Sequence, residues 1–270
     1  MVNQLKADFY KIIHSKILLT VVLAWFASSF LCPIVAIVHD DYTPVLRLAA
    51  RDFFIQPMPF LVFACMFCTR DLSTGFVKNT TSVKKRHYLL SKVICLSALV
   101  LLFYAFAFAL YTLSGFIHSY GRLGSDFFAR GILIQGKYPN QVTAKRFLCG
   151  EAVYLTNMFA MGMIVLAVSC ICRKEILVAI IILPYWLLYA YFWFAVESLF
   201  AGQFLSILHG LSAFAQINYM SIWWSRWDGH NGVYGFDWFD YSVARMLLVN
   251  VVWSVVSLGV SWLTLTKKEV

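Results

Sequence analysis

The most reactive spacing in this chain is Cys65-Met66-Phe67-Cys68. Two thiols three positions apart suit disulfide exchange or half of a zinc site, but no second such pair and no paired His accompanies them. Six of the seven cysteines lie inside apolar runs, where a thiol packs as a small hydrophobe. Gly131 to Tyr138 repeats the phosphate-loop spacing through Gly136-Lys137. Tyr138, however, stands where a Ser or Thr hydroxyl would hold Mg²⁺, and the stretch has no strand-to-helix context. Asn79-Thr80-Thr81 spells a glycosylation acceptor within a segment read below as cytoplasmic, where it would not be used. The six His residues are scattered, and no acid–base pair or metal set emerges. The expected catalytic, cofactor and metal residues are therefore none.

What must hold these residues is a membrane bundle. Of 270 residues, 61% are hydrophobic and 13% charged, against about 45–50% and 25% in soluble domains. Six apolar runs predict transmembrane helices over about 17–38, 53–68, 93–116, 152–172, 176–196 and 243–265. All but the second have the ~20 residues needed to cross ~30 Å of hydrocarbon. Pro57 and Pro59 predict a broken or tilted entry to that second span. The fold class expected is all-α, a single polytopic domain over 1–270. The turn Arg173-Lys174-Glu175 is short enough to make spans four and five antiparallel neighbours. Residues 3–16 place Leu5, Phe9, Ile12 and Ile13 on one side, with Lys6, Asp8, Lys11 and Ser15 elsewhere. This predicts an amphipathic helix lying in the membrane interface, its Lys residues near anionic headgroups. Residues 197–240 read as a re-entrant or interfacial outer segment. Trp223, Trp224, Trp227, Tyr234, Trp238 and Tyr241 supply an aromatic belt there.

Orientation follows from charge. The net charge is +9, and Lys and Arg sit in short loops beside apolar runs, which points to membrane topology and away from nucleic acid. Six spans put both ends on one side. That side carries thirteen Lys and Arg in short segments, against nine on the other side in longer loops, so both termini are expected in the cytoplasm. The spans themselves hold essentially no Asp, Glu, Lys or Arg between their ends, which disfavours ion-coupled carriage and intramembrane catalysis. Glu197 and Arg245, near outer span ends, read as headgroup anchors or as residues facing an outer vestibule with Trp223, Trp224 and Trp227.

The basic island 69–92 carries Arg70, Lys78, Lys84, Lys85, Arg86 and Lys92 with one acid, Asp71. Ser73 or Thr74 can cap a helix start after Asp71, and Val77, Val83, Tyr88 and Leu89 give it an apolar side.

Leu5-Lys6-Ala7-Asp8-Phe9-Tyr10-Lys11 before a first span resembles the opening of type-2 ABC exporter permeases, where an amphipathic elbow helix precedes span one. Asp71, then Ser73-Thr74-Gly75-Phe76-Val77-Lys78, Lys84-Lys85-Arg86 and Ser91-Lys92, is similar to that family's loop after span two. The aromatic 215–241 segment and Thr80-Thr81-Ser82 depart from the family's pattern. The resemblance implies a coupling helix within 69–92 that docks on a separate ATP-binding cassette ATPase. ATP and Mg²⁺ would be bound there and not by this chain, and a second permease, identical or not, would complete the complex. It also implies export of an amphipathic peptide, lipid or drug-like molecule across a bacterial plasma membrane, with antimicrobial-peptide immunity as one use. A non-transporting anchor or sensor subunit and an intramembrane enzyme are the alternatives.

Overall fold

The computed structural model describes residues 2–23, 57–73, 82–122, 144–187, 211–215 and 243–267, with side chains over a narrower part of the third and fourth helices. Every regular element among them is helical: α1 (Val2–Ile13), α2 (Pro57–Ser73), α3 (Ser82–Arg122), α4 (Ala144–Cys172), α5 (Glu175–Leu187) and α6 (Val243–Lys267), with one 3₁₀ turn at Ala213–Ala215.

The first helix ends in a turn at His14 and Ser15. His14 stacks on Tyr10 with ring centroids 4.0 Å apart, and the His14 amide donates to the Tyr10 carbonyl. Ser15 then accepts the Leu18 amide at 3.3 Å, serving as the N-cap of helix 16–23. Pro57 and Pro59 stand in the first turn of α2, where a missing amide costs no intrahelical bond. The prolines thus open the described helix and leave its interior unbroken.

Three helices are long and apolar enough to cross a bilayer among the described residues: 85–106 within α3, 151–172 within α4, and α6. Six spans were expected. The described parts of the other three are shorter: 17–23, the 17 residues of α2 and the 13 of α5. Helix α3 has 41 residues, about 60 Å at 1.5 Å per residue, roughly twice the hydrocarbon thickness. It is therefore longer than one crossing needs. Residues 69–92, expected as a loop, are helical at both ends: 69–73 completes α2 and 82–92 begins α3. Polarity marks where the membrane ends, whereas Lys, Arg and Leu continue a helix readily.

Helix α4 is the hub, packing against α6, α2, α3 and α5. Gly162 allows the approach of α2: a Cβ there would lie 3.1 Å from Cζ of Phe60. Phe60 is fully buried and meets Phe103 of α3 edge to face at 5.8 Å. Cys65, Cys68, Cys95 and Cys170 are all buried free thiols, so the CxxC spacing belongs to the packed face of α2. Between α4 and α5 the chain turns through Arg173, whose φ of 57° is the left-handed conformation usually given to glycine at a helix end. Its amide donates to the Ser169 carbonyl at 2.9 Å and closes the last turn of α4.

Candidate functional site

Two acids and two bases are drawn together where α1, α2 and α3 meet. Lys92 is 1% exposed; its Nζ lies 2.9 Å from Asp71 Oδ2 and 3.3 Å from Asp8 Oδ1. It also donates to the Phe67 carbonyl at 3.3 Å and sits 3.8 Å from the centre of the Phe67 ring. Lys11 donates to Asp71 Oδ1 at 2.7 Å and lies 3.9 Å from Asp8. Ser91 donates to Asp8 Oδ2 at 2.7 Å, and Gln4 reaches the same oxygen at 3.4 Å. Charges of two Lys and two Asp cancel within the cluster. That balance is what makes such burial tolerable, since an unpaired ion there would carry the full desolvation cost.

Each element delivers its residue for a local reason. Asp8 and Lys11 are three apart on α1 and so share a face. Asp71 lies in the last turn of α2, Lys92 three turns into α3, and the Phe67 and Tyr88 rings enclose the ammonium. Burial pushes the Asp71 carboxyl up. The Lys92 charge and the contacts from Lys11 and Lys92 outweigh that and hold it below the ordinary carboxylate range. Among the described residues no three His, Cys, Asp or Glu side chains gather to hold a metal. The arrangement fastens α1 to α2 and α3, the helices on either side of residues 74–81 in the chain.

Only part of the sequence-derived site falls in this cluster. Asp71 is a member. Ser73 is the last residue of α2 and donates to the Arg70 carbonyl at 2.9 Å, so it closes a helix and does not cap the start of one. Thr74, Gly75, Phe76, Val77 and Lys78 lie outside the described residues, as do Glu197, Trp223, Trp224 and Trp227. Lys84 is helical in α3, Lys85 is buried and Arg86 exposed on the same helix, and Arg245 is half-buried on α6. Asp8 was read as part of the polar side of an interfacial helix, yet it is fully buried against Ser91 and Lys92. A signal was present: Asp8 is the only acid in residues 1–39, and Asp71 the only one in 53–125. Lone acids beside Lys at span ends are candidates for pairing.

A second polar cluster lies between α4 and α6. Asn157 Nδ2 donates to the Ala213 carbonyl at 2.6 Å and to Asn250 Oδ1 at 3.0 Å. Asn250 Nδ2 reaches Thr156 Oγ1 at 3.3 Å and the Val153 carbonyl at 3.5 Å. Trp253 Nε1 donates to the Leu211 carbonyl at 2.6 Å. Two carbonyls beside the 3₁₀ turn are thereby satisfied by side chains of α4 and α6, as backbone at membrane depth requires. Asn157 and Asn250 carry no full charge and stand within apolar runs, so no signal in the sequence marks them as partners. No family model matches the chain, nor does any curated protein.

Proposed function

We propose that this chain is the membrane-spanning permease subunit of an ATP-driven exporter. It has six spans, both termini in the cytoplasm, and a coupling segment within residues 74–81. The observation that supports this reading best is the ion cluster. Asp8 and Lys11 fix α1 to Asp71 in the last turn of α2 and to Lys92 in the buried part of α3. A push transmitted through residues 74–81 would then reach three helices together and would not be absorbed at a loose hinge. The charges of the described spans gather toward their ends, at Lys85, Arg86 and Lys92, at Glu151, and at Arg245 and Lys267, which fits a protein whose driving energy comes from a separate ATPase. An amphipathic peptide or lipid, entering from the bilayer, is the substrate class most in keeping with the aromatic belt at 223–241.

The test is co-purification with candidate ATP-binding cassette ATPases, followed by ATP hydrolysis with and without a cationic lanthionine peptide. Phe76→Ala and Val77→Asp are expected to detach the ATPase or uncouple hydrolysis from export while the protein still inserts. A packed side chain in a small interface contributes about 1–3 kcal/mol. Arg86→Gln, at an exposed position of α3, is expected to weaken association only modestly, as exposed charges do. An ATPase that binds while export is never seen would favour the anchor or sensor reading. Normal coupling in the Phe76 and Val77 variants would reduce the loop to a topological signal.

A further inference from the structure

A cleft of about 170 Å³ opens beside the ion cluster, bounded by the end of α1, α2 and the start of α5. Phe63, Met66 and Ile17 give it an apolar wall, the first buried and the others half-buried. Lys11, Asp71 and Lys92 also face it, but with Asp8 their charges cancel one another. Arg70 and Glu175 are different. Both line the cleft, and among the described residues neither side chain has an ion pair or hydrogen bond.

One cation and one anion beside an apolar wall match a molecule that carries both charges on an apolar body. A guanidinium favours phosphate, which it can grip with two parallel N–H groups. A carboxylate favours a primary ammonium, which has N–H groups to donate; a quaternary amine has none and is better held by aromatic faces. A purely anionic headgroup would gain Arg70 but meet repulsion from Glu175. Position decides between a free phosphoamine and a lipid. The apolar wall belongs to α2 and to helix 16–23, which run toward the hydrocarbon, so the ligand needs acyl chains to cover it. We propose that this cleft binds a phosphatidylethanolamine-type lipid, with its phosphate on Arg70, its ammonium on Glu175 and its acyl end against Ile17, Phe63 and Met66.

The assignment is independent of export and can be tested on the purified full chain. Delipidated protein in detergent is titrated with phosphatidylethanolamine, phosphatidylcholine, phosphatidylglycerol or free phosphoethanolamine. Retained ligand is counted by native mass spectrometry and folding is checked by thermal unfolding. Phosphatidylethanolamine is expected to be retained at least about fivefold better than the other three. Arg70→Gln should abolish that preference, Arg70→Lys should restore part of it, and Glu175→Gln should bring phosphatidylglycerol level with phosphatidylethanolamine. Lys16→Gln, outside the cleft, should change nothing. Equal retention of all lipids by the unaltered protein overturns the proposal, as does a Lys16→Gln loss equal to that of Arg70→Gln. Equal binding of free phosphoethanolamine overturns the lipid assignment.

Discussion

Where α1, α2 and α3 meet, four full charges gather, three of them buried. Where α4 meets α6, the buried polar groups are neutral amides, hydroxyls and carbonyls. Position along the helices accounts for the difference. The ionic group lies at the Lys-rich end, and Lys11 keeps 39% exposure, so one side of it still meets water. Asn157 stands about 22 Å along α4 from Cys172, within the apolar span. There an amide can satisfy a carbonyl without the cost of burying an ion. The two clusters also join different kinds of partner. The ions tie helix to helix chiefly through side chains, with Lys92 also on the Phe67 carbonyl, whereas Asn157 joins Asn250 and also holds the Ala213 carbonyl of the 3₁₀ turn.

The sharpest way to break this contrast is Lys92→Met. It leaves two buried carboxylates sharing Lys11, and a buried ion stripped of its partner costs about 3–5 kcal/mol. Thermal unfolding in detergent should show that loss. Adding Asp8→Leu should recover part of it, because the remaining Asp71–Lys11 pair is balanced. A double variant no better than Lys92→Met would mean that the charges are not coupled.

Asn157→Leu is next. It deprives the Ala213 carbonyl and Asn250 of their donor, and one unsatisfied buried group costs about 1–3 kcal/mol. The same unfolding measurement checks it, and limited proteolysis near residue 213 should increase with it. No change in either would show that the amides only accompany the packing.

Acid separates the clusters without mutation. Asp71 has a folded carboxyl below its ordinary range, so its contribution is fully present above about pH 4 and is lost as pH falls through the folded value. Stability measured downward from pH 6 should hold and then decline below about pH 4. The decline should be shallower in Lys11→Met, which removes one of the groups that depress Asp71. Asn157→Leu should leave its shape unchanged. The smallest effect is expected for Trp253→Phe, which removes the donor to the Leu211 carbonyl but keeps most of the ring. Such hydrogen bonds within membrane proteins average about 0.6 kcal/mol, and double-variant cycles with Asn157→Leu would read the coupling.

Composition alone determined that this chain is helical and apolar enough for a membrane, because long runs of Leu, Val, Ile and Phe leave few alternatives. The run 243–265 is legible for the same reason, and α6 covers it as Val243–Lys267. Periodicity placed Leu5, Phe9 and Ile12 together on α1 but put Asp8 on the wetted side, since a carboxylate read by itself belongs in water. Only the tertiary structure could reverse that. Lys92 and Ser91 lie 84 and 83 positions away, and their approach makes burial of Asp8 tolerable. The same holds for Asn157 and Asn250, 93 apart, whose amides look incidental until the 3₁₀ turn at 213 needs a donor. Hydrophobicity is a sum over neighbours in sequence and survives without the fold. Pairing of polar groups is a relation between distant residues, and it exists only once the helices have met.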